Sequence, residues 1–341
     1  MDACNLMSRC LRRIRRDRGG CSALLLGLAL FAGLGSEASA QSDWPKQPIR
    51  FVVPFAPGGT SEIVARAVSV ELSRQLGVSV YVENKPGGAG VTAMADVAKA
   101  APDGHTLVMG HVGTLAVNPF MLRSQPFDVN RDFEPVTLLA KVPNLFVIHP
   151  EVPAKDFREF VAYVKQHPGK LNYGSAGNAS AGHLAMEYLK LVTGMEIEHV
   201  PYRGTGPQLV DLLAGRMQAT SAGTPALGQH IRSGKLRAIA VGTTERIPAL
   251  PDVPTVAEMG YPGFETAQWY GMLVPARTPA AVISRLHEES RKALASTSVK
   301  ERFSADNAIA GGGPPAEFSA FIRSEQKIWG DIVRRASIRA D

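Results

Sequence analysis

The sequence predicts an α/β protein of two lobes with a ligand cleft between them. Short runs rich in β-branched residues alternate with longer stretches of helical spacing. The alternation comes in two series, and a segment rich in Pro and Asn, residues 117–135, separates them. A strand–helix–strand order implies a parallel sheet, because parallel neighbours need a long crossover that a helix provides. Two such sheets facing each other put a shared site at the carboxyl ends of their strands.

The elements follow in order. Residues 49–54 read as a buried strand that Gly58 and Gly59 break. Residues 60–76 carry Ile63, Val64, Ala67, Val68, Val70, Leu72 and Leu76 at helical spacing. A second strand spans 78–83, a glycine-rich loop 86–90, a helix 91–100 and a third strand 106–109. Beyond the proline-rich segment, residues 136–141 and 144–149 read as two strands leading away from it. The second series then runs helix 157–166, strand 170–173, helix 181–192, strand 197–201 and helix 207–213. It ends with strand 217–220, helix 225–232 and strand 236–241. The chain closes with a strand over 269–274 and helices over 279–294 and 315–335, the last opening on a favourable Pro315.

The first forty residues read as a cleavable secretion signal. Arg9, Arg12, Arg13, Arg15, Arg16 and Arg18 precede an apolar run over 23–34. That run falls short of the roughly 20 residues that span a bilayer. Ala38-Ser39-Ala40 then supplies small residues for cleavage before Gln41. The expected product is a soluble, monomeric periplasmic protein. Cys4, Cys10 and Cys21 all leave with the leader, so the mature chain has no disulfide, thiolate metal site or cysteine nucleophile. The leader's six arginines against Asp2, Asp17 and Glu37 hold +3 of the chain's net +6. The remaining charges are interspersed, which gives no support for a nucleic-acid surface.

The most informative stretch is Val53-Pro54-Phe55-Ala56-Pro57-Gly58-Gly59-Thr60-Ser61-Glu62. A helix start with free N–H groups and two hydroxyls suits an anion, and the glycines allow close approach. The same spacing also fits a plain capped helix after a tight turn. No Gly-Lys-Ser/Thr closes it, so it is not a nucleotide P-loop. Residues 172–183 repeat the plan of strand, glycine turn and helix start. Residues 178–182 nearly match a hydrolase nucleophile elbow, but Asn178 stands where Gly is required. This turn is therefore read as the second lobe's side of the cleft. Gly113-Thr114, past the third strand, either donates to a ligand or caps a turn. The eight histidines show no metal-ligand spacing, and no cofactor is expected.

These motifs carry a family resemblance. The chain resembles the Bug solute receptors, the extracytoplasmic binding proteins of tripartite tricarboxylate transporters. The likeness runs from residues 53–62 through Glu83-Asn84-Lys85-Pro86-Gly87-Gly88-Ala89-Gly90 and Ala101-Pro102-Asp103-Gly104-His105-Thr106-Leu107. It continues through residues 168–175, 199–204 and 249–255 to Trp269-Tyr270-Gly271. The resemblance implies a periplasmic-binding-protein-like Venus flytrap of class II type, with two α/β lobes joined by crossing strands. Residues 41–142 and 267–341 would form one lobe, and residues 143–266 the other. It further implies a non-enzymatic receptor that captures a small carboxylate and delivers it to a membrane permease, or reports it to a sensor kinase. Carried over, the binding residues are Phe55, Pro57, Gly58, Gly59, Thr60, Ser61, Gly113 and Thr114 from one lobe. Ser175, Gly177, Asn178, Tyr202 and Ala222 come from the other. Two departures matter: Glu62 replaces the family's usual Asp, and Ser221-Ala222-Gly223 replaces a frequent Phe-Asp-Asn. The second removes an acid from the cleft and weakens any expectation of an amino-acid ligand.

Overall fold

In the first lobe, β1 (Ile49–Val53) lies between β2 (Val80–Asn84) and β3 (Thr106–His111), parallel to both. The structure, a computed structural model, describes residues 44–335 and Ile338. The expected leader and its cleavage point lie outside the described residues. Helix α1 (Thr60–Leu76) links β1 to β2 and buries Val64, Ala65, Val68 and Leu72 along one stripe. Gly77 ends it in the left-handed region (φ 71°), donating its N–H to the Ser73 carbonyl. Helix α2 (Val91–Ala98) links β2 to β3. A π-helical turn (Gly113–Val117) and the short α3 (Asn118–Met121) follow.

Strand β4 (Phe133–Ile148) is 16 residues long and changes partner along its length. As far as Pro143 it pairs antiparallel with β9 (Ala267–Pro275), which also pairs antiparallel with β3. From Asn144 onward it pairs antiparallel with β7 (Ala219–Gly223), and from Leu145 also with β8 (Arg237–Val241). The sequence reading placed two strands here. Pro143 falls where the pairing switches, and the strand runs through it.

In the second lobe, β5 (Asn172–Ser175) lies between β6 (Glu198–Pro201) and β7, parallel to both. Helices α4 (Phe157–Gln166), α5 (Ala181–Thr193), α6 (Thr205–Leu213) and α7 (Thr224–Arg232) connect these strands. β4 shows why the sheet carries a core on each face. Phe146 and Ile148 pack with Phe157, Phe160 and Tyr173, whereas Leu145 and Val147 pack with Leu209, Leu212 and Leu227. Strand β8 also pairs antiparallel with β4, so it runs in the same direction as β5, β6 and β7, and β4 is the strand of opposite direction.

The chain ends on α8 (Ala280–Ala295), α9 (Thr297–Ala305), β10 (Ile309–Ala310) and α10 (Pro315–Arg335). The sequence reading omitted α9 and β10: α9 buries only Val299 and Phe303, and β10 has two exposed residues. The first lobe's core includes Val52, Met94, Val108, Leu115, Leu273 and Trp329. Among the described residues, no helix is long and apolar enough to cross a membrane.

Candidate functional site

A small cavity of about 30 Å³ lies at the carboxyl ends of β1, β3, β5 and β7. From the first lobe come Phe55, Thr60, Ser61, His111 and Val112, with Gln268, Trp269 and Tyr270 from the start of β9. The second lobe supplies Ala176, Ser180, Ala181, Gly182, Thr205, Ser221 and Ala222. Among the described residues, no Asp, Glu, Lys or Arg lines it. Among the described residues, no group of three His, Cys, Asp or Glu is placed to hold a metal.

Three helices begin at this cavity. Thr60 and Ser61 open α1, Ala181 and Gly182 open α5, and Thr205 opens α6. Each start presents backbone N–H groups and the positive end of a helix dipole. The N-caps of α1 and α6 are Gly59 and Gly204, which provide no side-chain acceptor. These two helices therefore keep their first N–H groups free of side-chain caps. Helix α5 is capped by Ser180, whose hydroxyl accepts from the His183 N–H. Glu62 turns away from the cavity. Its carboxylate accepts from the Gly58 N–H (2.7 Å) and from Arg66 Nε (2.8 Å), fixing the loop before α1.

The first lobe's floor is His111, the last residue of β3, opposite Tyr270 in the pairing with β9. The imidazole stacks on Phe55 with ring centroids 4.6 Å apart. Its Nδ1 accepts from the Gly113 N–H at 2.7 Å. Burial pulls its pKa down to about 3, so the ring is neutral at neutral pH. Beside it, the buried Tyr270 hydroxyl donates to Gln268 Oε1, and Gln268 Nε2 donates to Asn144 Oδ1 at 2.7 Å. The Thr60 hydroxyl bonds to Tyr270 as well, and burial raises the Tyr270 pKa above the ordinary phenol range. A polar chain thus runs from the start of α1 to Asn144, where β4 changes partner.

The lobes touch through backbone around the cavity. The Ala56 N–H donates to the Arg203 carbonyl at 3.0 Å. A Cβ at Gly58 would lie 3.2 Å from Gly206 Cα, and one at Gly59 would lie 3.2 Å from Thr205 Oγ1. A Cβ at Gly206 would run into the Pro57 carbonyl. The lobes are closed on one another, and glycines make that approach possible.

Of the residues expected to bind, Phe55, Thr60, Ser61 and Ala222 line the cavity. Pro57, Gly58 and Gly59 sit at its rim, against the start of α6. Gly113 supports His111, and the Thr114 hydroxyl accepts from the His111 N–H at 3.1 Å. Ser175 is fully buried and bonds His199 Nε2 at 2.6 Å. Gly177 and Asn178 are absent from the lining, and the Tyr202 hydroxyl donates to Asp211 at 2.6 Å. The sequence reading missed His111, Gln268 and Tyr270, although Tyr270 stands inside the quoted Trp269-Tyr270-Gly271 motif. The available signal was a histidine at the end of an apolar strand, immediately before a turn.

A closed cleft between two α/β lobes, lined by neutral donors at helix starts, defines a solute-binding receptor of the periplasmic binding protein class. Residues 64–338 match the family described as "Tripartite tricarboxylate transporter family receptor", and the chain belongs to that family. Three solved structures are similar along nearly their full length. Rpa4515 of R. palustris with adipate is 36% identical with a TM-score of 0.85, covering 87% of this chain and 99% of that one. The periplasmic binding protein BugD is 32% identical with a TM-score of 0.84, covering 87% and 100%. MatC of Rhodopseudomonas palustris with bound malate is 33% identical with a TM-score of 0.82, covering 85% and 100%. The family consists of extracytoplasmic receptors for small solutes.

Proposed function

We propose that this chain captures a small carboxylate lacking an ammonium group and delivers it to a tripartite tricarboxylate transporter-type permease. The observation that carries this reading is the convergence of three helix starts on a cavity that, among the described residues, no charged side chain lines. Positive dipole ends and neutral donors favour an anion, while no carboxylate is present to pair with a cation. The adipate and malate carried by two of the similar structures support the same ligand class. In this reading the carboxylate contacts the start of α1 through Phe55, Thr60 and Ser61 and meets Ala222 across the cleft. Pro57, Gly58 and Gly59 let the lobes close over it.

Residues 41–142 and 267–341 form one lobe and residues 143–266 the other. The change of partner along β4 between Pro143 and Asn144 supports this division. The leader over residues 1–40 directs the mature chain to the periplasm, where it acts as a monomer without catalysis.

The test is a thermal-shift screen of the chain from Gln41 against mono-, di- and tricarboxylates and their amino-acid analogues. A ligand at 100 times its dissociation constant stabilises by about 2.7 kcal/mol. Stabilisation by aspartate or glutamate but by no plain carboxylate would overturn the reading.

A further inference from the structure

Among the described residues, no protein group partners His111 Nε2, an atom shut away from solvent in a residue only 2% exposed that lines the cavity. The other ring nitrogen decides what this atom is. The Gly113 N–H points at Nδ1 from 2.7 Å, so Nδ1 carries the lone pair. A neutral imidazole has one N–H, which must then sit on Nε2. The ring is held in place by its stacking on Phe55 and by the bond at Nδ1. Nε2 is therefore a donor whose direction is set before any ligand arrives, and only an acceptor can satisfy it. On the opposite wall, at β7, the buried Ser221 hydroxyl also has no protein partner.

We propose that His111 is a ligand-contacting residue that donates its Nε2–H to an oxygen of the bound carboxylate. This rests on the carboxylate reading above and adds a side-chain donor from β3 to the backbone donors of the helix starts. It also explains the local use of Gly113 and Thr114. The first fixes the tautomer, and the second holds the backbone N–H of the same residue at 3.1 Å. Both act as positioning residues for His111.

The experiment uses adipate and malate as probes, within a panel of two- to eight-carbon carboxylates, titrated calorimetrically into the wild type, His111→Phe and His111→Gln. Phe keeps a ring against Phe55 but has no donor, whereas Gln offers an amide N–H. His111→Phe is expected to weaken whichever of these carboxylates the wild type binds by tenfold or more. His111→Gln should stay within threefold of wild type. In protein labelled with ¹⁵N-histidine, His111 Nε2 should resonate as a protonated nitrogen and shift when the bound panel member saturates the protein. If His111→Phe fails to fold, that resonance decides. A wild type that binds a panel member while His111→Phe stays within twofold, or while the resonance is unmoved at saturation, overturns the contact and leaves the carboxylate reading standing. A wild type that binds no panel member overturns both.

Discussion

After β1 the chain runs Pro57-Gly58-Gly59-Thr60-Ser61, and after β5 it runs Ala176-Gly177-Asn178-Ala179-Ser180. Each is a strand end, a glycine turn and a helix start with a hydroxyl, yet they are built for different purposes. In the first, the N-cap is a glycine, and Thr60 and Ser61 face the cavity. In the second, Ser180 caps α5, and the preceding Ser175 is held by His199 and the Gly177 N–H. The glycines differ in the same way. Gly58 and Gly59 meet the opposite lobe, whereas Gly177 (φ 116°) packs against the Tyr202 carbonyl of its own lobe. One loop leaves its donors open for a ligand and its backbone open for closure. The other uses Ser180 for a cap and Ser175 for His199, and brings Ala176 and the start of α5 to the cavity.

The largest effect that separates the two regions is expected from acid. Each has one buried histidine: His111 in the cavity, with its pKa held at about 3, and His183 at the start of α5, held at about 4. Desolvation is the main cause in both, and Lys190 adds to it at His183. The unfolded chain protonates both near pH 6.5, whereas the folded chain resists until pH 4 and then 3. Their stabilising contribution is therefore complete above about pH 6.5 and is lost as pH falls toward those folded values, at roughly 1.4 kcal/mol per unit for each group. Denaturant titrations from pH 7 to 4 should show this slope halved in His111→Gln. Saturation with adipate or malate, whichever binds, should alter the part due to His111 and leave that of His183. Equal slopes in wild type and His111→Gln would show that His111 is hydrated in solution.

Two glycine substitutions come next. Gly206→Ala places a methyl against Pro57 across the cleft, where the three nearest atoms all belong to Pro57 and Gly58. Overpacking of this kind costs about 1–3 kcal/mol. Because it opposes closure, affinity should fall roughly 5- to 150-fold. The melting temperature without ligand should hold or rise slightly, since Ala is the better helix former. Gly177→Ala should do the reverse: about 1–3 kcal/mol lost from stability through backbone strain, and affinity nearly unchanged. Calorimetry and melting curves on both variants would expose a wrong assignment as an exchange of the two patterns.

Much of this architecture was legible in the sequence, because hydrophobic spacing reports directly on burial. Helix α1 was read at residues 60–76, and β1 was placed within one residue of Ile49–Val53. β4 reads in the sequence as two strands, 136–141 and 144–149, and its change of partner at Pro143 leaves no mark on spacing. The first loop was legible because its glycines and hydroxyls are contiguous. His111 and Tyr270 were not, since they meet only through strand pairing across more than 150 residues. Ser175 shows the converse. Its motif matched a binding loop, but its hydroxyl is taken by His199, which lies in the neighbouring strand β6.

The smallest expected effects come from removing one hydroxyl on each side, and they test the comparison most directly. Thr60 is the first residue of α1, with Gly59 as the N-cap, so Thr60→Ala removes no cap. It removes a donor to Tyr270, which keeps its own bond to Gln268. That costs about 0.5–1.5 kcal/mol of stability at most. A carboxylate that also uses the Thr60 oxygen through water, or depends on Tyr270 being held still, should lose two- to tenfold in affinity. Ser175→Ala removes a similar hydroxyl from a fully buried site, leaving His199 Nε2 and the Gly177 N–H without it. Stability should fall by roughly 0.5–1.5 kcal/mol, the net worth of a hydrogen bond to groups that are only half-buried, with affinity within twofold of wild type. Melting temperature and calorimetric affinity measured on both variants give four numbers. If Ser175→Ala weakens binding more than Thr60→Ala does, the Ser175 hydroxyl serves the ligand after all, and the division of labour drawn between the two loops is wrong.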